Sequence, residues 1–134
     1  MTEITLEQAR TAVTAAIDRA KQVGVKVNVA IVDTGANLKA FARMDGSYLG
    51  SGDIAIKKAR TAKFFDLPTG QIGQLSQPGG PFYQIELTNG GLVSFPGGLP
   101  IKNTAGEVIG AIGVSGGAPD QDEAIAQAGA KTTL

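Results

Sequence analysis

The segment from Glu107 to Val114 constrains the fold more than any other part of the chain. It reads Glu-Val-Ile-Gly-Ala-Ile-Gly-Val, an apolar run with the length of a buried strand. Gly110 and Gly113 have no side chain, so a neighbouring backbone or a ligand can approach this strand closely. Turn residues at 103–106 predict a hairpin that pairs the strand with Leu99–Lys102.

The first third of the chain predicts a helix followed by a strand hairpin. A T-x-x-Q capping box at residues 5–8 starts the helix, and Gly24 ends it as a left-handed C-cap. The segment Val25–Val32 alternates at first and then becomes apolar throughout, which is typical of a strand buried on both faces. Turn residues separate it from Leu38–Arg43, the predicted returning strand.

Two further helices complete the pattern. Ser51 is the predicted N-cap of a helix. The inner stripe of that helix is predicted to hold Ile54, Ala55, Ala59, Ala62 and Phe65. A last helix begins at Pro119 and ends near Gly129. Because strands and helices do not alternate, the order predicts an α+β fold, an antiparallel sheet with flanking helices, as one domain over residues 1–134.

The stretch from Leu67 to Pro100 is rich in proline and in paired glycines. It predicts a short helix at Thr69–Leu75 and short strands at Ile85–Leu87 and Leu92–Ser94, joined by an Asn-Gly turn. A long irregular stretch inside a compact domain usually serves a function or an interface.

The composition excludes several classes of function. Twelve basic and twelve acidic residues give a net charge of zero, so nothing in the charge favours a nucleic-acid or membrane partner. The chain has no cysteine and no histidine, so it lacks thiolates and the usual general base, metal ligand and haem ligand. We therefore expect no metal site. The N-terminus lacks a signal-peptide pattern, and no apolar run approaches the roughly 20 residues of a membrane helix, which predicts a soluble cytoplasmic protein.

Lys58 is the strongest single candidate for a functional residue. It lies between Ile54 and Ala62 in the apolar stripe of its helix, where an unpaired ammonium group is costly to desolvate. One interpretation is that Lys58 holds a carboxylate ligand or acts as a base. The other is that its stem follows the core and its ammonium reaches a carbonyl group or an aspartate. The sequence leaves both interpretations open.

Arg43 and Asp45 follow a predicted strand end. The Arg43 guanidinium suits a carboxylate or propionate ligand, and Asp45 suits the orientation of Lys58 or acid–base chemistry. The alternative is an Arg43–Asp45 ion pair that holds the turn. We favour a ligand role for Arg43 and a structural role for Asp45, and we expect Met44 to be a core residue rather than a metal ligand.

Ser115 and Gly116 precede the last helix, whose N-terminal donors favour an anion. However, Asp120, Asp122 and Glu123 occupy its first turn and repel a phosphate. The prediction is therefore a carboxylate held through Ser115 rather than a nucleotide.

Tyr83 and Glu86 lie in the irregular stretch. They are candidates for the acid–base groups that histidine would otherwise supply. Equally, they suit a subunit interface, where tyrosine is common, and we favour the interface or a pocket within it.

Three blocks of sequence carry a family resemblance. They are Arg43-Met44-Asp45-Gly46 with Asp53–Ala62, Gly97-Gly98-Leu99-Pro100-Ile101 with Gly110–Gly117, and Asp122 with Ala126 and Gly129. In these blocks the chain resembles the GlcG/HbpS-like family, also called the haem-degrading domain, which includes the C-terminal domain of PduO-type proteins. The resemblance covers nearly the whole chain, and its C-terminal block is the most specific part.

The resemblance implies a profilin-like sheet with flanking helices and a homo-oligomer, commonly an octamer. It also implies haem or corrinoid binding in some members and a place in catabolic operons for others. Haem ligation through histidine has no counterpart in this chain, which contains none.

The predicted function is binding of a small molecule, either a tetrapyrrole or a small organic acid, in an oligomer pocket. The predicted binding residues are Arg43, Lys58, Ser115 and Gly116. The alternative is a small catabolic enzyme of isomerase, hydratase or lyase type that transfers a proton on an organic acid. Its candidate catalytic residues are Lys58, Asp45, Tyr83 and Glu86.

Overall fold

A computed structural model describes residues 2–134. In chain order the helices and strands are α1 (Leu6–Val23), β1 (Asn28–Val32), β2 (Leu38–Arg43), α2 (Ser51–Phe65), α3 (Thr69–Leu75), β3 (Gly98–Lys102), β4 (Val108–Ser115) and α4 (Pro119–Ala130). Short 3₁₀ turns occur at Ile85–Leu87 and Lys131–Thr133. None of the helices within this range has both the length and the apolar composition needed to cross a bilayer.

The four strands form one antiparallel sheet in the order β2-β1-β4-β3. The central strands β1 and β4 are paired so that Asn28 lies opposite Ser115 and Val32 lies opposite Ala111. Each edge strand is joined to its central neighbour by a hairpin, as the sequence predicts for Leu99–Lys102. The sheet and its flanking helices confirm the predicted α+β class.

Helices cover both faces of the sheet. α1 and α4 pack together on one face, and α2 packs on the other, against β1, β3 and β4. A Cβ atom at Gly113 would overlap the carbonyl oxygen of Ala55, so the α2 backbone lies directly on β4. The close neighbour that this glycine predicts is therefore another stretch of backbone.

Local signals account for the ends of α1. The Thr5 hydroxyl accepts from the backbone N–H of Gln8 at 3.0 Å, and the Gln8 side chain accepts from the Thr5 N–H at 2.9 Å. Two N–H groups that lack intrahelical partners are thereby satisfied. Gly24 adopts a left-handed conformation with φ of 88°, which a residue with a side chain adopts only at a cost.

Two expectations for α2 are wrong. Gly50, not Ser51, occupies the N-cap position, and Ser51 is the first helical residue with no capping hydrogen bond. Phe65, at the last position of α2, is 39% exposed instead of lying in the inner stripe. The expected stripe does include Ala55, Ala59 and Ala62, which are fully buried.

The two short strands expected around the Asn-Gly turn are also absent from the structure. Residues Ile85–Leu87 form a 3₁₀ turn, and Leu92–Ser94 is irregular. The backbone N–H of Val93 donates to the Thr61 hydroxyl on α2 at 3.2 Å, so a side chain takes the place of a strand partner. Backbone hydrogen bonds of turns hold the rest of the segment, and one of them runs from Leu92 N–H to the Glu86 carbonyl oxygen.

Candidate functional site

A buried ion pair joins α2 to the start of α4. The Lys58 Nζ atom lies 3.1 Å from Asp122 Oδ2 and 2.8 Å from the carbonyl oxygen of Val114, at the end of β4. Both charged residues are only 2% exposed. The burial of Lys58 follows from its place in the apolar stripe, and its ammonium reaches both a carbonyl group and an aspartate. Lys58 thus ties together α2, β4 and α4.

Burial shifts the protonation of both partners. Desolvation lowers the pKa of the Lys58 ammonium and raises the pKa of the Asp122 carboxyl. The mutual attraction of the two charges opposes both shifts. The Asp122 carboxylate also accepts from the backbone N–H of Gly117 at 2.8 Å, which further favours its charged form.

A pocket of about 230 Å³ opens over this ion pair, between the first turns of α2 and α4. Lys58 and Asp122 form part of its lining, together with the hydroxyl-bearing Ser51 and Ser115. The apolar part of the lining comes from Tyr48, Ile54, Phe95 and Pro119. A groove of about 750 Å³ on the outer face of α1 is larger, but its charged side chains are all exposed.

The floor of this pocket contains polar groups that the chain itself does not satisfy. Within residues 2–134, the hydroxyl groups of the nearly buried Ser51 and Ser115 make no hydrogen bond shorter than 3.5 Å. Asn28 lies opposite Ser115 in the sheet, and its side-chain oxygen Oδ1 is buried without a partner in the same part of the chain. Folded proteins rarely leave buried polar atoms unpaired, so the buried Asn28 oxygen is unusual, whereas the two hydroxyl groups face the pocket.

Two backbone N–H groups just before α4 are taken by the chain's own side chains. The Asp122 carboxylate takes the Gly117 N–H, and the Gln121 side chain takes the Ala118 N–H at 2.9 Å. Gly116 has φ of 144°, and a Cβ atom there would overlap the Lys26 carbonyl oxygen. Gly116 therefore lines the pocket through its backbone.

Arg43 and Asp45 do not form the ion pair that we considered. The Arg43 guanidinium donates instead to the carbonyl oxygens of Ser47 at 3.0 Å and Tyr48 at 3.3 Å, and it fixes the loop at the pocket rim. Asp45 is exposed, and the partner that orients Lys58 is Asp122 rather than Asp45. Met44 packs against the apolar core, and its sulfur accepts from Val27 N–H at 3.4 Å.

Tyr83 and Glu86 do not line the pocket that contains Lys58. Tyr83 is exposed. The Glu86 carboxylate accepts from the hydroxyls of Ser94 and Ser76, and the hydrogen bond from Ser94 is the main cause that lowers its pKa. Of the four candidate catalytic residues, Lys58 alone lines this pocket.

Several residues of the pocket were not identified from the sequence as site residues. Asn28 had one visible signal, an amide within a strand that is otherwise apolar. Asp122 was placed on the first turn of its helix, but its ion pair joins residues 64 positions apart in the chain. Tyr48 and Phe95 come from two loops, and nothing in their local sequence brings them together.

Comparison with known proteins places this chain in a defined family. The family described as haem degrading protein HbpS-like matches residues 4–131, and the chain belongs to this family. A crystal structure of the Klebsiella pneumoniae protein ORFY is similar, with a TM-score of 0.95 and 36% identity over 99% of this chain and 92% of ORFY.

Two further relatives are related to PduO. A crystal structure of a PduOC:heme complex has a TM-score of 0.91 and 34% identity, over 97% of this chain and 94% of that protein. The corrinoid adenosyltransferase PduO of Salmonella typhimurium is 39% identical over 84% of this chain. This chain spans only 34% of the length of that enzyme.

Proposed function

We propose that this chain is a small-molecule-binding protein whose ligand is a small organic acid held in the Lys58 pocket. The observation that carries the proposal is the buried ammonium group of Lys58, which lines a pocket beside two unpaired hydroxyl groups. An ammonium group has three N–H donors, and the chain uses two of them, on Val114 and Asp122. The third is available to a ligand carboxylate.

The size of the pocket supports a ligand with few atoms. Pockets for drug-sized ligands enclose roughly 300–1,000 Å³, and this one encloses about 230 Å³. Arg43 adds positive charge near the rim, since it binds the carbonyl oxygen of Tyr48. Asp122 neutralises part of the charge of Lys58, so we expect modest affinity and a preference for small monocarboxylates.

The test is an NMR titration of the isotope-labelled chain with propionate. We expect saturable shifts of the amide signals around Lys58 and Ser115. Lys58→Met with Asp122→Leu removes the ion pair without leaving a lone buried charge, and this double variant should bind propionate at least tenfold more weakly. Lys57→Met is the matched control, because Lys57 is on the same helix, pairs with Asp53 and lies outside the pocket.

Two outcomes would contradict the proposal. One is the absence of saturable shifts in the unmodified chain. The other is equal propionate affinity in the unmodified chain and the double variant, provided that thermal unfolding shows the variant to be folded.

Tetrapyrrole binding is the second candidate. It is favoured by the haem complex of the PduOC relative and by exposed aromatic side chains at the pocket rim, where Tyr48 is 76% exposed. The chain has no histidine or cysteine for a haem iron, and the Met44 sulfur accepts from Val27 N–H at the core, so Tyr48 is the one side chain at the rim, among the described residues, of a type that ligates haem iron. On this hypothesis a tetrapyrrole, haem or corrinoid, is held by apolar contact.

An absorbance titration separates the two candidates. Contact through the ring alone predicts that haem and metal-free protoporphyrin bind with similar affinity, each with a saturable shift of the Soret band. Absence of saturation at tens of micromolar protein would exclude this second candidate. Haem binding much tighter than protoporphyrin binding would show that the iron has a ligand after all.

We further propose that the chain folds as one domain and assembles into a homo-oligomer, with eight copies as the expected form. Large exposed apolar side chains support self-association, among them Leu49, Phe82, Leu87 and Phe95. Light scattering after size-exclusion chromatography tests this, and a purely monomeric chain at 100 micromolar would contradict it.

A further inference from the structure

The side-chain oxygen of Asn28 is an acceptor that lacks a donor. Asn28 is fully buried, and its Nδ2 donates to Ser47 Oγ at 3.3 Å. The Ser47 hydroxyl proton is already donated to the Met44 carbonyl oxygen at 2.8 Å, so Ser47 can only accept from Asn28. The amide must therefore keep its nitrogen towards Ser47 and its oxygen away from it.

The Asn28 oxygen lies beneath the pocket floor. Asn28 and Ser115 are opposite residues on neighbouring strands, so their Cβ atoms are about 4.5–5.5 Å apart on the same face of the sheet. The oxygen is 3.9 Å from the position that a Cβ atom would occupy at Gly52, in the first turn of α2. Ser115 lines the pocket, and its hydroxyl group is an unpaired donor on the same face of the sheet.

We infer that Asn28 orients the Ser115 hydroxyl and thereby makes the pocket selective for a small acid that carries a hydroxyl group. In the bound state, the Ser115 O–H donates to Asn28 Oδ1, and the Ser115 oxygen presents a lone pair to the pocket. The pocket then offers a donor in the third N–H of Lys58, an acceptor in Ser115, and the Ser51 hydroxyl, which can donate or accept. A hydroxy acid satisfies the first two, with its carboxylate on Lys58 and its hydroxyl proton on Ser115.

The same geometry disfavours related acids. An oxo acid has no proton for Ser115, so its carbonyl oxygen would face a second acceptor. An amino acid would supply a donor, but its ammonium group would bring a second positive charge close to Lys58. Asn28 is thus a positioning residue that acts through Ser115. The inference rests on the proposed binding of acids at Lys58.

The test compares three acids with the same carbon chain, namely lactate, pyruvate and propionate, by NMR titration. We expect the unmodified chain to bind lactate about tenfold tighter than propionate and to bind pyruvate no tighter than propionate. Asn28→Leu and Ser115→Ala should each bring the lactate-to-propionate ratio close to one, because lactate affinity falls more than propionate affinity. Lys57→Met is the control that should keep the ratio.

The outcomes separate this inference from the proposed function. If propionate binds but lactate has no advantage, the role of Asn28 is wrong and acid binding at Lys58 stands. The role is also wrong if the advantage of lactate persists in Ser115→Ala. If none of the acids binds the unmodified chain, both proposals fail. Ser115→Ala carries the test alone if thermal unfolding shows that Asn28→Leu does not fold.

Discussion

The two faces of the sheet are covered in different ways. Beneath α1 and α4 the core combines alanines of the helices with many large aliphatic side chains, among them Ile31, Ile112 and Ile125. Beneath α2 the contact is made by small residues. These are Ala30, Ala55, Ala59, Ala62, Ala111 and Gly113, with Val32 as the larger exception.

The two faces of the sheet therefore have different roles, since one mainly stabilises the fold and the other carries the pocket. Large side chains bury more apolar area per residue, so the face beneath α1 and α4 contributes most of the hydrophobic stabilisation. Small residues bring the α2 backbone against β4, so that Lys58 reaches the Val114 carbonyl oxygen. The buried polar groups Asn28 and Ser115 also lie on the α2 side, at the end of the sheet where the pocket opens.

The largest expected effect comes from breaking the ion pair on the α2 side. Lys58→Met leaves the Asp122 carboxylate buried without a counter-ion, so the free energy of unfolding should fall by about 3–5 kcal/mol. Adding Asp122→Leu should recover most of the free energy of unfolding that Lys58→Met loses. Urea denaturation at pH 7 measures both, and an equal loss in the single and double variants would show that the charges are not coupled.

The next largest loss of stability is expected when one methyl group is added to the sheet face covered by α2. Gly113→Ala places a Cβ atom on the Ala55 carbonyl oxygen, so α2 must move away from the sheet. We expect a loss of about 2–3 kcal/mol in the free energy of unfolding. A change below about 0.5 kcal/mol would mean that α2 is not held against β4.

Removal of one methyl group from the face beneath α1 and α4 should lower the free energy of unfolding by a smaller amount. Ile112 is the neighbour of Gly113 in the chain and points to α1 and α4, and Ile112→Val leaves only a small cavity. A loss of about 1 kcal/mol is expected from the same denaturation experiment. If Ile112→Val costs more than Gly113→Ala, the contrast between the two faces is reversed.

The smallest effect concerns the irregular segment next to α2. Hydrogen bonds, first of all from Ser94, lower the pKa of Glu86 below its usual value near 4.5 in the folded chain. The unfolded chain therefore takes up a proton first as the pH falls, so this contribution to stability is complete above pH 4.5 and is lost below it.

Glu86→Gln should remove that part of the pH dependence. Unfolding curves between pH 3 and 6 should be flatter for the variant than for the unmodified chain, while the ratio of lactate to propionate affinity stays the same. Parallel pH profiles would show that the Glu86 carboxylate does not hold this segment.

Features set by neighbouring residues were predictable from the sequence. The capping box of α1, the left-handed Gly24 and the burial of Lys58 depend on spacings of a few residues, and all three are present in the structure. The Asn-Gly dipeptide led to the wrong prediction of two strands, because the hydroxyl of Thr61, far away in the chain, holds Val93 instead.

The pocket itself was predictable only in part. Four binding residues were predicted. Lys58, Ser115 and Gly116 line one pocket, whereas Arg43 does not, and the binding role of all four stays a prediction. Asp122 and Asn28 were not predictable, because they come close to Lys58 and Ser115 only in the complete fold, across the end of β4 and through the antiparallel pairing of β1 with β4. Such contacts depend on the complete fold and leave no local pattern in the sequence.

The direct contact of α2 with β4 has a consequence for how such a chain can diversify. The distance between helix and sheet is set by Ala55, Ala59 and Gly113, none of which lines the pocket. Residues that do line it, such as Ile54 on α2 and Phe95 in its loop, are not part of that contact. Ligand preference can therefore change by exchange of lining residues while the scaffold keeps its dimensions.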